Sequence, residues 1–196
     1  MATRPKIRFT DDDDADRLLT ESPLALLIGM LLDQQVPMEW AFAAPEQLRQ
    51  RLGGTLDAAA IAAMDPDEFR QIFSERPALH RFPGSMGGRV HALCVDLVES
   101  YDGDAEKVWS GVASGDELLS RLKALPGFGE QKARIFVAIL AKRVGIKPAG
   151  WEKAAGPYAA AGYYSVADID GPDALARVRE HKRAVKAEAK AAKAAG

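Results

Sequence analysis

Between residues 124 and 140 the chain reads ALPGFGEQKARIFVAIL. Leu125-Pro126-Gly127-Phe128-Gly129 separates two stretches of helical periodicity, and the second resumes at once. Proline removes a backbone donor and glycine admits positive φ, so the turn excludes one continuous helix and predicts a helix–hairpin–helix. Glycine also lets backbone approach a ligand closely. The N–H groups that open the second helix, near Gly129 to Gln131, carry partial positive charge. The turn is therefore either an anion cradle or plain punctuation, with Lys132 and Arg134 within about a turn and a half of it. Phe128, between the glycines, is expected to plug the hairpin into the core.

The rest of the chain also reads as helix. Ser22-Pro23 is an N-cap followed by proline at the first helical position. Leu24 to Leu32 is apolar on nearly all sides, which predicts a central buried helix. It should end near Gln34-Gln35, because Pro37 disfavours helix at Val36. Met38 to Leu52 follows, closed by Gly53-Gly54. Shorter helices are expected over Asp57–Met64 and Pro66–Phe73.

After the turn Phe82-Pro83-Gly84-Ser85, a helix from about Ser85 to Tyr101 carries Val90, Leu93, Cys94, Leu97 and Val98 on one face. Asp104 to Ser110 adds another turn. Ser114 to Glu117 reads as a capping box that starts the first hairpin helix, and the second should run from Glu130 to Val144. From Lys147 to Ile169 the periodicity is lost. A last helix begins at Pro172 and ends in a solvated Ala/Lys stretch. No strand and no repeat emerges, so the fold class is all-α. The expected organisation is an N-terminal segment 1–21 packing with a C-terminal lobe, a helical domain over 22–145, and an irregular segment with a basic helix over 146–196.

A net charge of −2 means the protein is no polycation, but the charge is unevenly placed. Five aspartates lie within residues 11–16, and a run of lysines and arginines fills the end of the chain. Only part of this surface suits a polyanion; solvated, partly frayed termini are the simpler account of both ends. No stretch approaches the ~20 apolar residues of a membrane span. Met1 to Asp14 lacks an apolar signal core, so a cytoplasmic protein is expected. The single cysteine, Cys94, excludes an internal disulfide and a four-cysteine iron–sulfur cluster or zinc site, and its apolar helix face makes it a buried thiol. The three histidines show no metal-ligand spacing.

LPGFGEQKA resembles the hairpin signature Leu-Pro-Gly-x-Gly-x-x-x-Ala of DNA repair proteins. The segment LLIGMLLDQQVPMEW, about ninety residues earlier, is similar to the buried helix ending in Gln-Gln of the helix–hairpin–helix (HhH-GPD) glycosylase superfamily. That superfamily includes endonuclease III, adenine glycosylase and alkyl-purine glycosylases. The resemblance covers residues 20 to 145. It implies a two-lobed helical fold with the active site between the lobes, and a monomer acting on double-stranded DNA, nucleoid-associated in a bacterium.

The resemblance assigns roles residue by residue. Gln35 matches the glutamine that fills the gap left by an extruded nucleotide, and it can equally be a polar helix end. Gly127 and Gly129, with Lys132 and Arg134, would hold the DNA backbone, and an alkali cation, Na⁺ or K⁺, would sit on the hairpin carbonyls. The lyase lysine of bifunctional members falls on Gln131, whose amide forms no Schiff base, so monofunctional hydrolysis is implied. Lys132, one helical step of about 100° away, is read as a phosphate contact. The family's catalytic aspartate falls on Ala149 and the second acid of the adenine glycosylases on Met30. Glu152 is then the nearest carboxylate.

Arg81 and Arg89 are candidate phosphate contacts in a basic loop and helix start, or ordinary surface charges. Trp40 and Trp151 either stack on an extruded base or fill core. The expected activity is hydrolysis of the N-glycosidic bond of a damaged or mispaired base. The alternative is a non-catalytic protein that recognises DNA structure or lesions, and a third reading is a helical protein–protein module.

Overall fold

The computed structural model of the chain describes residues 7–194. It is all-helical, with no strand among those residues and one isolated bridge between Ser114 and Ala149. Ten α-helices run in order: α1 (Asp13–Glu21), α2 (Pro23–Leu32), α3 (Met38–Arg51), α4 (Ala58–Ala63), α5 (Pro66–Ser74), α6 (Pro83–Tyr101), α7 (Gly115–Ala124), α8 (Glu130–Ile139), α9 (Trp151–Ala155) and α10 (Pro172–Ala194). None is long and apolar enough to cross a membrane.

α2 is the pivot. Leu24 to Leu32 are all buried, as a helix apolar on every side requires. It packs on α1 and α3 along one side, and it also meets α6 and α8. At Gly29 the crossing with α3 is so close that a Cβ would lie 2.6 Å from the Phe42 ring, so only glycine admits this approach. α4 and α5 pack on α6, while α7, α8 and α9 pack on one another. Segment 146–169 thus joins the hairpin as α9 and two short 3-10 turns, Gly156–Ala159 and Val166–Asp168. The loss of periodicity there reflects its glycines and prolines, several of them at positive φ.

Several local departures from sequence expectation have plain causes. The acidic start is helical from Asp13 rather than frayed. Asp12 caps it by accepting from Asp14 and Ala15 N–H, and Asp13, Asp14 and Asp16 complement the positive end of the helix dipole. Asp16 is buried and ties down the preceding segment through Phe9 N–H, Thr10 N–H and the Thr10 hydroxyl. Burial is the largest influence on its carboxyl and raises its pKa; the hydrogen bonds from Thr10 and Phe9 oppose it. Phe9 then meets Phe42 edge-on at 5.0 Å; residues 1–6 lie outside the described residues.

α2 ends at Leu32, earlier than expected, because Asp33 leaves the helical region at ψ 70° and Gln35 turns left-handed at φ 57°. α8 closes in a wide π turn, Leu140–Val144, that stops at left-handed Gly145. At the start of α7, Ser114 caps Glu117 N–H as expected, but the Glu117 carboxylate accepts from Ala113 N–H instead of from the cap residue. α10 stays helical to Ala194, beyond the last buried residue Val178.

Candidate nucleic-acid cleft

The hairpin is anchored from below. Phe128 is buried and sets its ring edge-on to Phe136 at 5.9 Å, as a plug should. Only one of the two hairpin glycines needs its conformational freedom. Gly127 has φ +81°, and a Cβ there would crowd Leu31 of α2 at 3.3 Å, so the turn sits directly on the end of the central helix. Gly129 has an ordinary φ of −80° and open space where a Cβ would be. It gives α8 no side-chain cap, so the first N–H groups of α8 are left for an outside partner.

Because Gly127 rests on Leu31, the hairpin faces the segment that leaves α2. Between them lies a cleft of about 620 Å³ lined by Asp33, Gln34, Gln35, Gly127, Gly129, Glu130, Gln131, Lys132 and Lys182, with Met30, Val36 and Ile135 as apolar wall. Gln35 is exposed and takes the left-handed conformation, φ +57°, uncommon for a non-glycine residue.

The turn that presents Gln35 is held from behind. Buried His80 donates from Nε2 to the Gln34 carbonyl at 3.1 Å while its Nδ1 accepts Phe82 N–H at 3.1 Å. That pair of bonds defines the neutral tautomer. Burial lowers the His80 pKa, against its hydrogen bonds to Gln34 and Leu32 and with help from Lys132.

Gln131 and Lys132 both line the cleft but differ in kind. The exposed Gln131 amide donates to the Tyr158 hydroxyl at 3.0 Å. Lys132 reaches inward; its Nζ donates to the Leu31 carbonyl at 2.6 Å and stands 3.5 Å from Gln34 Oε1. Burial brings its pKa down to about 8; nearby Asp33 pulls the other way, and Arg89 adds to the depression. The amine is thus part of the cleft wall, not a side chain reaching out to solvent. Asp33 is largely shielded, 12 % exposed, with its Oδ2 3.7 Å from Lys182 Nζ of α10. Neither Asp33 nor Lys182 stands out in the sequence. Lys182 follows α2 by some 150 residues, and Asp33 has no match among the superfamily's acids.

The remaining candidates lie elsewhere. Arg134 bonds Glu130 and the Ala154 carbonyl, and so staples α8 to α9. Arg81 is exposed, its guanidinium 5.4 Å from the Phe82 ring centroid. Arg89 lines a shallow concavity with Arg70, Gly84, Ser85 and Pro126, on the hairpin's other flank. Trp40 stacks beside His80 at 6.3 Å, behind the Gln34 turn. Trp151 belongs to a separate cavity with Lys142, Arg143 and Asp168. Glu152 is exposed on α9 and does not line the cleft; the carboxylates that do are Asp33 and Glu130. Glu130 is engaged by Lys123 and Arg134, which lower its pKa. Cys94 is buried, with its thiol pushed up to about 12. No cluster of three or more metal-ligating side chains occurs among the described residues. Compared with protein-family models, with curated proteins and with solved structures, the chain finds no match.

Proposed function

We propose that the cleft binds duplex DNA and that the protein is a base-excision N-glycosylase with Asp33, not Glu152, as its working carboxylate. One observation carries this reading: Asp33, Gln35, the hairpin glycines and the uncapped start of α8 line a single cleft. Backbone N–H groups at a helix start suit a phosphate. Gln35, exposed on its strained turn, suits the space left by an extruded nucleotide, whose flipping costs a few kcal/mol. An Na⁺ or K⁺ at the hairpin belongs to the same reading. The backbone carbonyls of the turn would hold the ion.

With a nucleotide in the cleft, the C1′–N bond breaks and the base leaves with the bonding pair. Asp33 stabilises the positive charge that develops on the sugar and accepts a proton from the water that forms the new C1′–O bond. A second reading is favoured by Lys132 itself. An amine with a pKa near 8 is substantially neutral at mildly basic pH and can attack C1′ as the base leaves with the bonding pair; loss of the amine protons and opening of the C1′–O4′ bond give a Schiff base, and loss of a C2′ proton then expels the 3′ phosphate and cuts the strand.

The test incubates the protein with duplexes bearing uracil, alkylated, oxidised and mispaired bases, then heats them in alkali. Release from one lesion is expected, lowered about 10²- to 10³-fold in Asp33→Asn and unchanged in Glu152→Gln. Borohydride trapping of a protein–DNA adduct that disappears in Lys132→Met selects the amine mechanism. Absence of release from every lesion, with duplex binding retained, selects the non-catalytic DNA-recognition protein instead.

A further inference from the structure

α10 docks on the body only through its first turns, where Ala174, Leu175 and Val178 are buried. Arg179 then pairs with Glu39 of α3, and Lys182 reaches Asp33 and lines the cleft. Beyond Lys182 the helix continues for about 16 Å to Lys193 with every residue exposed. At about 100° per residue, Arg179, Lys182, Arg183, Lys186, Lys190 and Lys193 fall within a single arc of about 100°. The acids of the helix, Asp173, Glu180 and Glu188, fall on the opposite side. Arg177, also outside the arc, lies over the Tyr163 ring at 4.9 Å. Among the described residues, Arg183, Lys186, Lys190 and Lys193 have no acidic partner.

The stripe has a direction. Leu175 lies on the same face as Lys182, Lys186 and Lys193, while Ala174 and Val178 fall to one side of that arc, so past Lys182 a row of free cations runs along the edge of the docked face. That row begins inside the cleft and leads out of it.

We infer that the outer half of α10 is a phosphate rail that engages the DNA duplex beside the cleft. The inference rests on the cleft being a duplex-DNA site. Charge complementarity selects a polyanion. A membrane surface is the poorer fit, because residues 183–193 carry no large apolar side chain except Val185, and a helix lying in a bilayer needs an apolar face. The rail spans roughly five base pairs. It explains how a chain of net charge −2 presents concentrated positive charge to DNA: its aspartate-rich start lies at the root of α10, where Asp11, Asp13 and Asp16 share a cavity with Gly171, Pro172 and Leu175.

The test uses the full chain and the triple variant Lys186→Gln/Lys190→Gln/Lys193→Gln, with fluorescence anisotropy of a duplex carrying a tetrahydrofuran abasic analogue, read across a series of KCl concentrations. The variant should melt like the parent, since all three side chains are exposed. The slope of log K against log salt should become shallower by about 2 to 3, at roughly 0.9 for each phosphate that the variant no longer neutralises. Lengthening the duplex by roughly five base pairs on the rail side should tighten binding by the parent and not by the variant.

Equal salt slopes for parent and variant overturn the rail while leaving the cleft reading intact. No binding of the abasic duplex by the parent overturns both. Loss of binding to phosphatidylserine vesicles in the variant, with DNA affinity unchanged, makes the stripe a membrane contact and also overturns the rail.

Discussion

Two cavities flank the two ends of the second hairpin helix, and each contains a lysine and an aspartate. At the far end Lys142 donates to Asp168 at 2.6 Å and to the Ala160 carbonyl at 2.8 Å. The other oxygen of Asp168 accepts from Tyr164 and Ser165 N–H. Both side chains are well buried, at 15 % and 4 % exposure, and each makes further bonds besides the one they share. At the near end Asp33 has only Lys182 at 3.7 Å, longer than a charge-assisted hydrogen bond. Lys132 is held by one carbonyl, with a depressed pKa. The same two residue types therefore serve different ends. Where lysine and aspartate bond each other directly and each has further partners inside the protein, the pair is a fastener. Where they face a 620 Å³ cleft with capacity to spare, the pair is available to a ligand.

The contrast can be broken most directly at the two aspartates. Asp168→Asn removes one partner of a buried, directly bonded pair and should cost about 3 kcal/mol in urea unfolding. Asp33→Asn, at a shielded but loosely paired site on the cleft, should cost less than about 1 kcal/mol. Equal losses would erase the distinction between fastener and site.

A second effect separates the lysines by pH. The folded Lys132 has its pKa near 8, below its ordinary 10.5, so the unfolded chain holds the additional proton between those values. Stability should therefore rise with pH across about pH 8 to 10.5, and the penalty of the buried charge is fully present below 8. Lys132→Met should raise the Tm at pH 7 and flatten that rise. Melting curves at pH 7 and pH 10 check it; a parent whose stability falls over this window would show that the amine is not desolvated.

The smallest effects belong to the two glycines of the turn. Gly127→Ala forces a side chain into positive φ and against Leu31, and should cost about 1 kcal/mol. Gly129→Ala, at ordinary φ with open space around it, should change stability by less than about 0.5 kcal/mol. Its added methyl still projects beside the start of α8, so weaker duplex binding with unchanged melting is expected. Chemical denaturation and anisotropy titration together separate the two.

Much of the local structure is legible in the chain. Ser22-Pro23 starts α2 and Pro126-Gly127 makes the hairpin, because caps and φ restrictions act over a few residues. The assignment of side chains to the cleft is less legible. One helical step distinguishes Gln131 from Lys132, and packing of Ala133, Phe136 and Val137 in the core sets how α8 is rotated. That rotation turns Lys132 inward and sends Arg134 to α9. Glu152, close to the expected position in sequence, ends on an outer face because α9 packs against α7 and α8 through Ala154 and Ala155.

By itself, then, the sequence determined an all-helical protein, a central buried helix shortly before Gln34-Gln35, and a glycine turn between two helices. These follow from periodicity, capping and backbone freedom, which are properties of neighbouring residues. Only the tertiary structure decided that the two segments face each other, that Asp33 is the shielded carboxylate between them, and that Lys182 arrives from α10 to join it. Those are choices of helix rotation and docking, made by core packing among residues far apart in the chain.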